Sequence, residues 1–328
     1  MNIRRVGVVG LGLLGRGITA SLLARGLEVI VYDREPAMQQ EIVPYLEGVM
    51  REIAEHRADC AAACARWREH FTWAAGLESF AGCDLVIESV SELLALKREL
   101  LLQMEAIVGA DVPLASNTSA LPITEIQRGF AHPERVLGMH WAEPAFATRF
   151  LELIGGDETS AAVLERMVAF GKSLGKEPCV VNDIPGFIVN RIGYAKYREA
   201  MNLLESGVAD AATIDRAYRN AAGLWASFCG PFRWIDITGG AELYARAMKR
   251  VLPELSNTTE VPVALARQAE LDREAVAADG AGAATGFYGE TPELKQAWLE
   301  LLHRQAWEIE ALRSRMDEAM AKAGVTKA

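Results

Sequence analysis

Apolar positions recur with two different periods along the first half of the chain. Short runs rich in Val, Ile and Leu alternate with longer segments in which apolar side chains return at helical spacing. The predicted strands cover residues 6–9, 28–33, 84–88, 112–116, 135–140 and 150–154. The predicted helices cover residues 16–25, most of 36–73, and 94–108. This alternation predicts an α/β fold with a parallel, doubly wound sheet.

The pattern changes near Asp183, where strand signals give way to helical ones. Asp183 and Pro185 predict the start of a helix, with the carboxylate as its N-cap and the proline in its first turn, and Gly207 predicts its end. A chain of 328 residues is about twice the usual length of one domain. We therefore predict two domains, an α/β domain over residues 1–183 and an all-helical domain over residues 184–328.

The last helical pattern begins at Pro292 and carries an apolar stripe. Its members are residues 294, 298, 301, 302, 309, 312, 316 and 320. Such a stripe suits packing on its own domain and a subunit interface equally well, and the sequence leaves both interpretations open. Residues 275–284 are rich in Ala and Gly and predict a mobile loop.

Charge and composition argue against several classes of protein. The chain has 34 Lys and Arg against 44 Asp and Glu, a formal charge of −10, so nucleic acid is not an expected partner. No stretch without Asp, Glu, Lys or Arg is longer than 13 residues, whereas a membrane span needs about 20. The N-terminus lacks the cleavage site of a signal peptide, and the five Cys form no disulfide framework. These features predict a cytoplasmic protein that does not enter the membrane.

One group of residues has the spacing of a metal site. His56, Cys60 and Cys64 are four residues apart on a predicted helix, which would place three soft ligands on one face. A fourth ligand is not evident nearby, and the segment is rich in alanine. We therefore interpret the two cysteines as part of a packing face and predict no metal.

A glycine-rich motif follows the first predicted strand. Gly10, Gly12 and Gly15 form G-x-G-x-x-G, with Leu13 and Leu14 at the start of the next helix. In this motif the first glycine makes a tight turn, the second lets the backbone approach a pyrophosphate, and the third lets the helix pack on the strand. The free N–H groups of the helix N-terminus then bind the anion. The motif, in this position, predicts dinucleotide binding.

An acidic residue identifies the dinucleotide. Asp33 ends the second predicted strand, 18 residues after Gly15, where a carboxylate accepts hydrogen bonds from the adenosine ribose. Its charge would repel a 2′-phosphate, so NAD is predicted over NADP. The adjacent Arg34 softens that preference.

His140 and Glu152 carry the chemistry. His140 ends one predicted strand, and Glu152 lies at the centre of another, Phe-Leu-Glu-Leu-Ile. A charged residue inside an apolar strand costs free energy unless it is paired, and a nearby histidine is a natural partner. A His–carboxylate pair forms a tuned general base.

Several ordered motifs carry a resemblance to a known family. They are the glycine loop, S-N-T-S at 116–119, G-M-H at 138–140, L-E-L-I at 151–154, D-I-P-G-F-I-V-N-R at 183–191, and C-G-P-F at 229–232. Together they resemble the 3-hydroxyacyl-CoA dehydrogenase family over nearly the whole chain. The resemblance implies an N-terminal Rossmann domain, an all-helical C-terminal domain, an active site in the cleft between them, and a homodimer. It also implies an NAD-dependent oxidoreductase of fatty acid metabolism.

The resemblance also implies roles for individual residues. His140 would be the catalytic base and Glu152 its partner. Ser119 and Asn190 would hold the oxygen of a small-molecule substrate while the hydride at its C3 passes to NAD. Glu92 and Lys97 would lie near the nicotinamide ribose.

Three departures from the family pattern bear on the substrate. Glu143 stands where the G-x-H box usually continues with Asn; it could still hold the nicotinamide amide, but it suits a neutral or cationic substrate. Segment 34–75 has no Lys, and its five Arg and seven acidic residues give a net charge of −2, which weakens the case for CoA phosphates. The loop at 280–288 lacks the family's lysine.

These departures leave the substrate open. The chain resembles a subgroup that acts on free hydroxy acids and includes lambda-crystallin (L-gulonate dehydrogenase) and carnitine dehydrogenase. The candidate substrates are a 3-hydroxyacyl-CoA and a small 3-hydroxy acid of the gulonate, carnitine or 3-hydroxybutyrate type. A non-catalytic, crystallin-like protein is a third alternative. A rival enzyme class, the β-hydroxyacid dehydrogenases, would instead use Lys172 or Lys176 as the acid–base.

Overall fold

The computed structural model describes residues 3–227, 229–279 and 286–322. The chain divides by its internal contacts into two units, Met1–Arg191 and Ile192–Ala328. We describe each unit by itself. No helix among the described residues is both long enough and apolar enough to cross a membrane.

The first unit is built on one eight-stranded sheet with the order β3-β2-β1-β4-β5-β6-β7-β8. Its strands are β1 (Arg5–Val9), β2 (Glu28–Tyr32), β3 (Phe71–Trp73), β4 (Leu85–Glu88), β5 (Leu114–Ser116), β6 (Val136–His140), β7 (Phe150–Gly155) and β8 (Glu177–Asn182). All neighbours pair in parallel except β6 and β7, which pair antiparallel. Successive residues of β4 and β6 are buried, so both faces of the sheet are covered, as in doubly wound folds.

Helices fill the connections between the strands. They are α1 (Leu13–Leu23), α2 (Ala37–His56), α3 (Ala61–Ala65), α4 (Trp67–His70), α5 (Leu94–Ile107), α6 (Ile123–Gln127) and α7 (Ala161–Ser173). The order of the strands reverses at β1 and β4. Ligands bind at such a switch point, outside the carboxyl ends of the strands.

The described residues of the second unit form helices joined by turns and loops, with no strand among them. Its helices are α8 (Val189–Glu205), which begins in the first unit, α9 (Ala211–Ala226), α10 (Pro231–Ile237), α11 (Gly240–Val251), α12 (Val263–Asp279) and α13 (Pro292–Lys322). The Asp210 carboxylate caps α9 by accepting a hydrogen bond from the Thr213 N–H at 2.7 Å. The predicted fold class, a Rossmann sheet followed by an all-helical region, is confirmed.

The predicted helix start at Asp183 is wrong. The helix begins at Val189, because Gly186 (φ 77°) and Phe187 (φ 48°) lie in the left-handed region and cannot continue a right-handed helix. The Asp183 carboxylate instead accepts hydrogen bonds from the N–H groups of Ile123 and Thr124, at 2.8 and 2.7 Å. It therefore caps α6, a helix 60 residues earlier in the chain.

Five other expectations need correction. The segment predicted as mostly helical at 36–73 ends in a short strand, β3, and β8 was not among the predicted strands. The sheet is not wholly parallel, because β7 runs antiparallel to β6.

Residues 275–279 of the predicted loop belong to α12, and the rest of that loop, 280–284, lies outside the described residues. The helix at His56 ends there, so Cys60 and Cys64 do not share a helix face with it.

Candidate active site

The three motif glycines lie in two kinds of surroundings. Gly10 has φ 92°, and a Cβ there would lie 2.6 Å from the Ser89 carbonyl oxygen. A Cβ on Gly15 would collide with the Gly10 carbonyl oxygen. A Cβ on Gly12 would meet no atom within 4 Å. The protein therefore packs tightly against the first and third glycines and leaves space beside the second.

The helix that follows the loop presents donors to this space. The first main-chain hydrogen bond of α1 runs from the Arg16 N–H to the Gly12 carbonyl, at 3.2 Å. The N–H groups of Leu13 and Leu14 consequently have no partner within the helix. Donors at a helix N-terminus beside an open glycine fit a pyrophosphate.

Asp33 closes the other side of the same cleft. Its carboxylate accepts hydrogen bonds from the N–H groups of Leu11 (2.7 Å) and Glu35 (2.9 Å), which fix its orientation. Asp33, Gly10 and Gly12 line a cleft of about 470 Å³. Arg34 is largely exposed, and its guanidinium lies 3.6 Å from the Glu35 carboxylate. A pyrophosphate cradle and a preset carboxylate in one cleft fit the two halves of an ADP-ribose.

The contrast between Gly12 and Gly15 gives a first prediction. We expect Gly12→Ala to weaken NADH binding by about tenfold or more, because the methyl group occupies the pyrophosphate space. The melting temperature of Gly12→Ala should barely change, because Gly12 has a φ of −59° and a Cβ there would meet no atom within 4 Å. Gly15→Ala should instead lower the melting temperature by several degrees through overpacking, roughly 1–3 kcal/mol. Fluorescence titration with NADH and thermal unfolding measure both effects; normal NADH binding by Gly12→Ala would contradict the placement of the pyrophosphate.

The antiparallel pairing of β6 with β7 brings His140 and Glu152 together. The two residues are direct partners across the strands, and His140 Nδ1 lies 2.8 Å from Glu152 Oε2. Both are buried, with 5% and 1% of their surface exposed. The other carboxylate oxygen accepts hydrogen bonds from the N–H groups of Ile188 and Val189, at 3.1 Å each. Because the carboxylate accepts from Nδ1–H, Nε2 remains the proton-accepting nitrogen of a neutral ring.

Two aromatic rings fix the plane of the His140 imidazole. Phe150 makes an edge contact with it at 5.5 Å between ring centroids, and Phe187 a tilted contact at 5.9 Å. Phe187 is fully buried and reaches this position from a left-handed backbone conformation. The base is therefore held by a carboxylate at one atom and by packing on its ring.

Ser119 and Asn190, far apart in sequence, lie side by side. Ser119 follows β5 and is exposed, whereas Asn190 is in the first turn of α8. Asn190 Nδ2 donates a hydrogen bond to the Ser119 carbonyl oxygen at 2.8 Å. The structure thus joins the two predicted substrate contacts.

Glu92 braces the loop that contains Ser119. Its Oε1 accepts hydrogen bonds from Thr118 Oγ1 (2.5 Å), Ser119 N (2.8 Å) and Ala120 N (3.0 Å). Burial alone would raise the pKa of Glu92, but these donors and the charge of Lys97 hold it below its usual value. The charged brace therefore persists at neutral pH and is lost only as the pH falls through that lowered value.

Glu143 lies in the loop that follows His140. It is half-buried near Tyr45, whose pKa is raised by burial and then by the charge of Glu143. The Arg16 guanidinium packs over the Tyr45 ring at 4.7 Å from its centroid. The contact of Glu143 with the nicotinamide amide stays a prediction.

The sequence analysis missed the structural roles of three polar residues at the site, Glu88, Asn117 and Lys176. Glu88 and Lys97 form a buried ion pair at 2.8 Å. Asn117 Oδ1 accepts a hydrogen bond from the N–H of Trp141, the residue after His140, at 2.9 Å. Lys176 donates to two carbonyl oxygens of the loop after His140. Glu88 could have been found by the reasoning that identified Glu152, because it is a charged residue in an otherwise apolar strand, Leu85–Glu88.

Lys176 is a structural brace in this fold. It is buried, donates hydrogen bonds to the carbonyl oxygens of Ala145 and Thr148, and lies 4.9 Å from the centroid of the Trp141 ring. Lys172 is exposed on α7. These placements favour the His–Glu base over the lysine of the rival enzyme class.

A Rossmann sheet with a dinucleotide cleft, and a buried His–Glu pair on two of its neighbouring strands, is the arrangement of an NAD-dependent dehydrogenase that acts on CH–OH groups. A family model described as the NAD binding domain of 3-hydroxyacyl-CoA dehydrogenase matches residues 5–184, and the model of its C-terminal domain matches residues 186–289. The chain belongs to the 3-hydroxyacyl-CoA dehydrogenase family, and its cofactor is NAD.

Three relatives of this chain are named for different substrates. The 5-formyl-3-hydroxy-2-methylpyridine 4-carboxylate 5-dehydrogenase of Mesorhizobium japonicum is 31% identical over 90% of this chain and 93% of its own length. The L-carnitine dehydrogenase of Streptomyces coelicolor is 32% identical over 83% of this chain and 84% of its own length. The 3-hydroxyadipyl-CoA dehydrogenase of Escherichia coli is 32% identical over 73% of this chain and 50% of its own length.

A solved structure agrees with this grouping. A crystal structure of a 5-formyl-3-hydroxy-2-methylpyridine 4-carboxylic acid 5-dehydrogenase, described as an NAD⁺-dependent dismutase, matches with a TM-score of 0.79 at 27% identity. The match covers 95% of this chain and 99% of that structure.

Proposed function

We propose that this enzyme oxidises the hydroxyl group of a small, free hydroxy acid, and that it does not use a CoA thioester. The charge of segment 34–75 carries the proposal: the segment has no lysine, and its acidic residues outnumber its arginines. A CoA group brings several phosphate charges, which need cationic partners. Two relatives that match over most of both chains, the pyridine carboxylate and carnitine dehydrogenases, are named for free small molecules.

The proposed mechanism assigns one task to each polar residue. His140 Nε2 takes the hydroxyl proton, and Glu152 fixes the ring and stabilises the imidazolium. Ser119 and Asn190 hold the oxygen as it becomes a carbonyl. The cleft lined by Gly12 and Asp33 would hold NAD, which would supply the hydride acceptor for this chemistry.

A substrate panel tests the proposal. NADH formation is followed with L-carnitine, L-gulonate, 3-hydroxybutyrate and 3-hydroxybutyryl-CoA, all in the oxidative direction. We expect kcat/KM for one of the free acids to exceed that for 3-hydroxybutyryl-CoA by about 100-fold or more, roughly 3 kcal/mol of transition-state stabilisation. The inactive variant His140→Ala is the blank for each substrate. Efficient turnover of 3-hydroxybutyryl-CoA alone would overturn the proposal and favour the CoA thioester.

We also propose that the enzyme is a homodimer held together by its second unit. Among the described residues from Ile192 onward, only Trp307 is buried. Of the 31 large apolar side chains that are exposed in the part of the chain that the structure describes, 25 belong to this unit. A helical unit of this size needs a core, and exposed apolar surface on this scale marks an interface. A second copy of the same chain, in an isologous dimer, is the simplest partner that supplies the missing contacts.

A further inference from the structure

Beneath the active site, the described residues include a buried ion pair formed by Glu88 of β4 and Lys97 of α5. Glu88 is fully buried, and Lys97 has 1% of its surface exposed. Lys97 Nζ lies 2.8 Å from Glu88 Oε1, 3.1 Å from the Val90 carbonyl oxygen and 3.3 Å from Glu92 Oε2. An ammonium group has three N–H donors, so these three acceptors use them all.

We propose that Glu88 and Lys97 are positioning residues that hold the cofactor segment 89–92 and the substrate loop 116–120 in one fixed arrangement. In this role Lys97 acts through the protein and does not contact the nicotinamide ribose. The proposal concerns the architecture of the site, and it holds for a free hydroxy acid and for a CoA thioester alike.

On the cofactor side, the buried pair fixes both peptide groups of Val90. The Val90 N–H donates to Glu88 Oε1 at 2.6 Å, and its carbonyl oxygen accepts from Lys97. Val90 lines the dinucleotide cleft, and the Ser89 carbonyl lies where a Cβ on Gly10 would collide. The pair therefore holds the wall against which the glycine loop packs.

On the substrate side, both members of the pair extend to the loop after β5. Ser116 Oγ donates to Glu88 Oε2 at 2.6 Å. Lys97 holds Glu92, whose other oxygen accepts the three hydrogen bonds that brace the backbone around Ser119. Asn190 then binds the carbonyl oxygen of Ser119. A continuous set of hydrogen bonds thus connects the cofactor wall to both proposed substrate contacts.

The burial of the pair supports a positioning role. Removing two charges from water has a large desolvation cost, and a buried ion pair seldom stabilises a fold more than apolar side chains of similar volume. A pair that contributes little net stability but orients two segments through four polar contacts is consistent with selection for geometry.

A double-mutant cycle tests the proposal. The variants are Glu88→Gln, Lys97→Met and the double variant, with Lys172→Met, an exposed lysine on α7, as the matched control. We expect each single variant to lower kcat by about 10- to 100-fold and to weaken NADH binding by the same small factor, about threefold, because both loosen the same wall of the cofactor cleft. The kcat of the double variant should be no lower than that of the less active single variant, because both substitutions break the same ion pair. The control should leave kcat and Kd unchanged.

A direct contact between Lys97 and the cofactor predicts a different pattern. In that case Lys97→Met weakens NADH binding by about tenfold or more, Glu88→Gln does not, and the effects add; this result would overturn the proposal. If a buried variant does not fold, Glu92→Gln, on the exposed arm, should show a loss of kcat of the same size. Amide exchange over residues 115–122 in the NADH complex, which needs no substrate, should be faster in each variant; unchanged protection there would also contradict the proposal.

Discussion

His140→Ala is expected to lower kcat by about 10³-fold or more and to leave NADH binding unchanged. The imidazole is the base that accepts the hydroxyl proton, and the described residues offer no other histidine beside Glu152. The dinucleotide cleft is formed by other residues, among them Gly12 and Asp33, so its affinity should not depend on the imidazole. Steady-state kinetics on the substrate found by the panel, together with NADH fluorescence titration, measure the two quantities.

Glu152→Gln is the informative companion of His140→Ala. The amide keeps the size of the side chain but removes the charge that stabilises the imidazolium, so we expect a loss of about 10²-fold in kcat. A His140→Ala enzyme that turned over normally, with activity lost instead in Lys176→Ala or Lys172→Ala, would transfer the role of base to a lysine. The buried hydrogen bonds of Lys176 to Ala145 and Thr148 argue against that outcome.

The second large effect concerns the dimer. We expect the wild-type enzyme at micromolar concentration to have twice the 35.7 kDa mass of one chain. Trp298→Asp combined with Leu301→Asp, on α13, places two charges where side chains of 52% and 51% exposure now present apolar surface. Burying a charge in an interface costs several kcal/mol, so this variant should be largely monomeric. Light scattering measures the mass.

A matched control separates dissociation from misfolding. Gln305→Asp adds a charge to an exposed polar position on the same helix, and it should stay dimeric. Circular dichroism shows whether the helices persist in each variant. A wild-type mass of one chain would overturn the dimer and leave the exposed apolar side chains of the second unit without an explanation.

Most of the sheet could be predicted from the sequence because its strands are buried on both faces and form continuous apolar runs. The edge strand β8 has a different pattern: five of its six positions are at least partly exposed, so it lacks such a run. The N-cap chemistry of Asp183 was also visible, but its target was not. A capping carboxylate usually serves the helix that follows it, whereas Asp183 caps α6 through a contact that only the folded chain brings together.

In the candidate site, too, some features could be predicted from the sequence and others could not. The motif positions of Gly10, Gly12, Gly15, His140 and Glu152 follow from local sequence and the chemistry of their residue types. The antiparallel register that makes His140 and Glu152 direct partners does not, because it depends on the turn of the chain between β6 and β7. The buried partners of Lys97 were likewise hidden, since their donors and acceptors come from two strands and a helix.

The unequal surroundings of the three motif glycines have a consequence for how this fold changes over time. At Gly10 and Gly15 a side chain damages the folded protein itself, so such a change is removed whether or not the enzyme is needed. At Gly12 a side chain leaves the fold intact and obstructs only the dinucleotide. A descendant of this protein that has kept its shape but abandoned redox chemistry is therefore most readily recognised by a residue other than glycine at that single position.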